Sequence, residues 1–198
     1  MELFIEILIA AVILFYIYRF VLIIAKMKEK VVFPTSSEGI ADIRKFPQKI
    51  VNAPTYFGQK WGLITYAIIL AYVITMFCLV KYLEINWATY LLVLLPLFNF
   101  SNLLNMFVIV QDGILCGGHF VSWKKIKTFE FVLIDANHRY YGHSEIVNNQ
   151  YEIKIKTGIL TLSSIITSEE MRKKLRSILY EHNVIELGPT EDLLTDKA

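Results

Sequence analysis

"DGILCGGHFVSWKKIKTFEF", residues 112–131, is where the chain changes character. Long apolar runs precede it, while within it Asp112-Gly113 and Gly117-Gly118 suit two-residue hairpins, since both tolerate the positive φ such turns need. Upstream, MFVIV from Met106 feeds the first turn; downstream, Phe129, Phe131 and Leu133 alternate with Glu130 and Val132. YEIKIK repeats the alternation, with Tyr151, Ile153 and Ile155 on one face and Glu152, Lys154 and Lys156 on the other. Thr157-Gly158 then turns the chain into ILTLS.

After that the period becomes helical. Thr167 with Glu170 reads as a capping box, with Ser168 the rival cap. Met171, Leu175, Ile178 and Leu179 form an apolar stripe, and Asn183 stands where a left-handed cap belongs. The spacing predicts an α+β or barrel-like domain over 108–187, a meander of about five or six strands with one covering helix. The tail 188–198 is polar, acidic and expected to be disordered.

Toward the N-terminus the chain reads as membrane. Of its 198 residues 55% are hydrophobic, and that excess is concentrated in runs. Leu3–Ala25 is long enough to cross a hydrocarbon core of roughly 30 Å. It lacks the basic n-region and the small-residue site of a signal peptide. Trp61–Val80 carries no charge, and a third apolar stretch runs from Trp87 to about Phe107, so 61–107 is expected to form a transmembrane hairpin around the link Lys81–Asn86. Trp61, Trp87 and Tyr90 mark the interfaces. Glu6 and Arg19 interrupt the first span; Arg19 lies about two turns from its end and is expected to snorkel to the headgroups. The expected fold class is therefore a three-span α-helical membrane protein with a C-terminal α+β domain.

Basic residues set the orientation. The loop 26–60 holds Lys26, Lys28, Lys30, Arg44, Lys45, Lys49 and Lys60, against Lys81 alone in the hairpin link. The expectation is a multi-pass cell-membrane protein with its N-terminus outside and its C-terminal domain cytoplasmic. Within that loop Ile40, Ile43 and Phe46 share a helical face, with Arg44, Lys45 and Lys49 beside them and Ser36 or Ser37 as cap. Two readings are open there: a short interfacial helix drawn to anionic lipid, or a linker punctuated by Pro47. In the third span Asn99, Asn102 and Asn105 recur every three residues, a pattern suited to intramembrane helix packing or to a contact between copies of the chain.

The run DGI…GG.F.SWKKIKTFEF, then YEIKIKTG.LTL, then SSIITSEEMRKKLRSIL resembles bacterial PH-like domains, of the YcxB-like type that small Firmicute membrane proteins carry after a transmembrane hairpin. The matching positions are Gly113, Gly118, Trp123, Ile126 and Lys127, within roughly residues 106–185. The resemblance implies a Trp packed where a strand bends, a helix plugging a barrel, and a membrane-proximal binding or scaffolding role without catalysis. The strand count falls short of such a barrel, so either 135–150 hides a strand or the barrel is incomplete.

The candidate contacts follow. Trp123 with Lys124, Lys125 and Lys127 suits anionic headgroups; alternatively the Trp is core and the lysines a solvated face. Arg139, Tyr140 and Tyr141 are residue types found at protein–protein hot spots. Asp135, His138, His143 and Glu145 read as a polar loop, not a metal site. Arg172, Lys173, Lys174 and Arg176 read as a solvated face balanced by Glu169, Glu170 and Glu181. Cys78 and Cys116 read as reduced, buried thiols. The net charge of +2 argues against nucleic acid. No catalytic motif and no cofactor signature is present. The leading expectation is a membrane-anchored adaptor whose partners are membrane lipids and a protein in the membrane or cytoplasm. The rival is an immunity protein against a membrane-active toxin or bacteriocin, acting through its spans.

Overall fold

The computed structural model describes residues 2–83, 88–158 and 160–187. In chain order its elements are α1 (Glu2–Lys26), β1 (Val31–Phe33), α2 (Ser37–Ala41), β2 (Ile43–Phe46), β3 (Lys49–Ile50), α3 (Lys60–Tyr82), α4 (Ala88–Leu94) and α5 (Phe100–Leu103). There follow β4 (Phe107–Val110), β5 (Gly113–Cys116), β6 (His119–Ser122), β7 (Ile126–Leu133), β8 (Tyr151–Thr157), β9 (Thr161–Ile166), α6 (Glu169–Glu181) and β10 (Ile185–Glu186). Trp87, the link 84–86 and the tail 188–198 lie outside the described residues, as do the side chains of Tyr90 and Asn99. The chain forms two compact units: Met1–Val32 with Asn52–Phe120, and Phe33–Val51 with the chain from Val121 onward.

In the first unit α1 and α3 are long and apolar enough to cross a membrane. They run antiparallel. Glu6 pairs with Lys81 at 2.9 Å, the Tyr66 hydroxyl donates to the Tyr16 carbonyl, and the Tyr56 hydroxyl donates to the Ile24 carbonyl. Their inner faces supply Ile9, Ile13, Tyr66, Leu70 and Val73 to a core completed by Phe100, Leu104, Val108 and Leu115. Phe20 and Phe100 close on either side of the Tyr66 ring. Gly62 permits a close approach: a Cβ there would stand 2.5 Å from the Leu103 carbonyl oxygen. The outer faces stay bare, with Leu8, Leu14, Tyr18, Trp61, Ile68 and Tyr72 all exposed. An apolar surface of that extent is the kind that membrane or protein contacts cover. The Cys78 thiol lies on it, exposed; only Cys116 is buried as expected.

The third apolar stretch is not one helix. Pro96 lacks a main-chain N–H, and a 3₁₀ segment, Leu95–Asn99, separates α4 from the four-residue α5. The end of α5 at Leu103 separates Asn105 from Asn102. Asn102 is exposed, whereas Asn105 lies beyond the end of α5 and is buried. Its main chain donates to the Gln59 side chain at 3.1 Å and accepts from the Asn52 N–H at 2.8 Å.

Arg19 has partners within its own unit. Its guanidinium donates to the Gly118 carbonyl at 2.6 Å and to His119 Nδ1 at 3.0 Å, with the Phe15 and Tyr16 rings beside it. It thereby pins the β5–β6 turn, where Gly117 takes the positive φ of 56° expected of it. The preceding hairpin is shifted by one residue from expectation. Val110 pairs with Gly113, so the two turn residues are Gln111 and Asp112.

The expected single meander is divided between two sheets. β1-β4-β5-β6 forms one; β10-β7-β8-β9-β2-β3 forms the other. The ladder breaks at a 3₁₀ turn, Trp123–Lys125, after which β7 pairs along its length with β8. The missing strands do not come from 135–150, which contains only a 3₁₀ turn among its elements. They come from 43–50: β2 pairs with β9 through Ile43↔Ile166 and Arg44↔Ile165. The interfacial-helix reading is thus overturned. Ser36 does cap a helix, accepting from the Gly39 N–H at 3.1 Å, and Ile40 belongs to it, but this α2 ends at Ala41. Ile43, Arg44, Lys45 and Phe46 are strand, because Ile43 is fully buried in a ladder and Pro47 turns the chain toward β3.

α6 buries Met171, Leu175, Ile178 and Leu179 as its periodicity requires. Asn183 takes a φ of 57°, and the Val184 N–H closes the helix onto the Leu179 carbonyl. Its cap is Ser168; Thr167 instead donates its hydroxyl to the Asp42 carbonyl. The basic run is not wholly solvated. Lys173 and Lys174 are exposed, but Arg172 lies over the Tyr151 ring at 4.0 Å and Arg176 over Phe131 at 5.3 Å.

Candidate functional site

The most organised polar group in the second unit surrounds Glu152. Alternation along β8 aims this carboxylate at the face opposite Ile153 and Ile155, yet it is 0% exposed. A segment from the 134–150 connection covers it. Glu152 accepts from Arg139 at 2.7 Å and from His138 at 3.0 Å, with Lys154 at 3.6 Å. Three cationic or donor partners on one buried carboxylate answer the desolvation that would otherwise make it costly. Burial acts to lower the Arg139 pKa, but the hydrogen bond and charge of Glu152 outweigh it and hold the guanidinium above its ordinary range.

The rest of the connection is tied as closely. Ile134 donates to Gln150 and accepts from Asn149, the Gly142 N–H donates to Asn148 Oδ1, and His138 Nδ1 accepts from the Tyr140 N–H. Gln48, in the β2–β3 turn, donates to the His143 carbonyl at 3.3 Å. Beneath, Ile134, Val147 and Ile165 form a small core against which Tyr140 packs. Burial pushes the Tyr140 phenol pKa up. Of the three expected hot-spot residues, Tyr140 is therefore partly inward. Arg139 stays 61% exposed at its side chain and Tyr141 43% exposed overall, joined by Ile146, which sequence reasoning passed over.

Trp123 with its lysines forms a second group. The indole lies flat on the His182 ring, centroids 3.7 Å apart, so the Trp is half-buried against the end of α6. Lys124, Lys125 and Lys127 are exposed. His182 was missed because it stands 59 positions away, a separation no local pattern spans.

Residues 105–184 match a family described as a domain of unknown function, DUF5673. No curated protein and no solved structure matches the chain.

Proposed function

We propose that this chain is a multi-pass membrane protein whose folded module recruits a protein partner through the 134–150 loop. The observation that carries the reading is the Glu152 anchor, which holds a surface loop rigid while Arg139, Tyr141 and Ile146 face outward. A loop ordered before binding loses little entropy on docking, and Arg and Tyr supply large contacts for few rotamers.

Three crossings belong to the proposal. Segments 33–51 and 121–187 share one sheet, so they lie on one side of any bilayer. If α1 and α3 both span, a third crossing after α3 would return the chain to that side. The stretch α4–α5 is the apolar segment available. The lysine-rich loop assigns the module to the cytoplasm and the N-terminus to the outside. The PH-like likeness is kept here on the same footing: a sheet closed by one C-terminal helix, with Gly113, Gly118, Trp123, Ile126 and Lys127 at the matching positions.

The headgroup reading of Trp123 has less support, since His182 occupies an indole face; Lys124, Lys125 and Lys127 supply a general attraction to anionic lipid. The immunity reading rested on Asn99, Asn102 and Asn105, of which Asn102 is the exposed amide and Asn105 a buried one. Neither cofactor nor catalysis enters the proposal.

The test is a photo-crosslinking residue at Tyr141 or Ile146 of the full chain in native membranes. One discrete adduct at both positions, lost on Arg139→Glu, supports recruitment through the loop. Adducts absent there but present from a crosslinker at Asn102 would move the function to the membrane-facing segments.

A further inference from the structure

With 43–46 in a sheet, the segment that faces the lipid interface lies further along. Residues 53–61, APTYFGQKW, run into α3 on a loop that is firmly built. Gln59 is 3% exposed; its side-chain amide donates to the Asn105 carbonyl at 3.0 Å and accepts from the Asn105 N–H. Thr55 Oγ1 accepts from the Gly58 N–H, and the Tyr56 hydroxyl reaches the Ile24 carbonyl. On this fixed base Phe57 is 80% and Trp61 73% exposed. Lys60 Nζ stands 4.5 Å from the Phe57 ring centroid and 5.6 Å from that of Trp61; Lys28 Nζ stands 6.0 Å from Tyr56. Lys60 thus stands beside both the Phe57 and Trp61 rings and Lys28 beside Tyr56, with both lysines exposed. From Trp61 the exposed positions Ile64, Ile68 and Tyr72 continue along α3 at helical spacing.

We propose that this surface binds an anionic glycerophospholipid, its phosphate drawn by Lys60 and Lys28, its glycerol region on Phe57 and Trp61, and an acyl chain along Ile64, Ile68 and Tyr72. Two bare rings on a hydrogen-bonded loop suit a membrane interface, and they continue into the apolar wall of a membrane-length helix. The lysines fix the sign of the headgroup. The inference rests on the membrane-spanning reading of α1 and α3.

The experiment places the full chain in phosphatidylcholine bilayers with a trace of spin-labelled phosphatidylglycerol or spin-labelled phosphatidylcholine. The motionally restricted fraction is then read by electron paramagnetic resonance. The expected result is a larger restricted fraction for phosphatidylglycerol, falling about fivefold in relative association for each of Lys28→Gln and Lys60→Gln. Lys124→Gln with Lys125→Gln should leave the preference in place. Equal restriction of both labels, or a preference that survives the Lys28→Gln/Lys60→Gln pair, overturns the site while leaving the spans intact. A preference removed by millimolar glycerol phosphate would mark a site for a soluble anion and overturn the lipid. No restricted component for either label would overturn the membrane reading, and the site with it.

Discussion

Arg19 in α1 and Glu152 in β8 are each a charged residue held out of bulk solvent by specific partners, about a hundred positions away for Arg19 and within 14 for Glu152. Their solutions differ. Arg19 is a cation satisfied by neutral acceptors, the Gly118 carbonyl and the His119 ring, with two aromatic faces alongside. Glu152 is an anion satisfied largely by cations and lies wholly out of solvent. At Arg19 the donor geometry of the guanidinium does the holding; at Glu152 the charge does. Where lipid or apolar helix surrounds a group, a backbone carbonyl is an acceptor that brings no second charge to desolvate. A sheet face under a loop has room for side chains that bring their own charge.

The largest effect is expected at Glu152. Glu152→Leu leaves His138 and Arg139 without their acceptor and is expected to cost about 3 kcal/mol, part of the penalty being relieved because Arg139 reaches solvent. Glu152→Gln keeps an acceptor without the charge and should recover less than half. Denaturation of the detergent-solubilised chain measures both. Full recovery by Gln would mean that acceptor geometry, not charge, holds the loop, and the contrast with Arg19 would collapse.

Arg19 comes second and is local. Arg19→Leu should speed amide exchange at Gly118 to Phe120 on the order of tenfold, the loss of about one to two hydrogen bonds from an opening equilibrium. Arg19→Gln retains N–H donors without charge and should restore much of that protection, the opposite of the Gln result at Glu152. Protection lost equally in Leu and Gln variants would show that the cation itself is required.

The same two residues show what a sequence carries. Local features were readable: the alternation of Tyr151–Lys156, the Gly117-Gly118 turn, the stripe on α6 and the left-handed Asn183 each follow from neighbours within a few positions. Arg19 was readable as an intrusion but not as a pin, because its acceptor is a backbone carbonyl 99 positions away. For Glu152 only the face was readable, because strand alternation cannot anticipate that an irregular loop covers it. Ile40, Ile43 and Phe46 fit a helix, and only pairing with Ile166 selects strand for Ile43. Of the candidate contacts, Arg139 and Tyr141 stand exposed as their residue types suggested, whereas Ile146 and His182 carried no signal in their own neighbourhoods.

The smallest effect is a pH dependence of the second unit. Two tyrosines of the second unit hold their phenols above the ordinary 10.0. Burial is the first cause for both; the charge of Glu152 adds to it at Tyr140, and the hydrogen bond to Glu186 adds to it at Tyr180. A phenol whose pKa is raised on folding keeps its proton longer in the folded chain than in the unfolded one. Its contribution is complete below 10.0 and is lost as pH climbs through the folded value. Stability should therefore decline on an alkaline limb that Tyr140→Phe and Tyr180→Phe each make shallower. At neutral pH Tyr180→Phe should cost under about 1 kcal/mol, since that side chain is nearly half exposed. Glu152→Gln should flatten the Tyr140 part only slightly, because burial is the larger cause there. A limb that neither Tyr140→Phe nor Tyr180→Phe makes shallower would show that folding does not hold these phenols protonated.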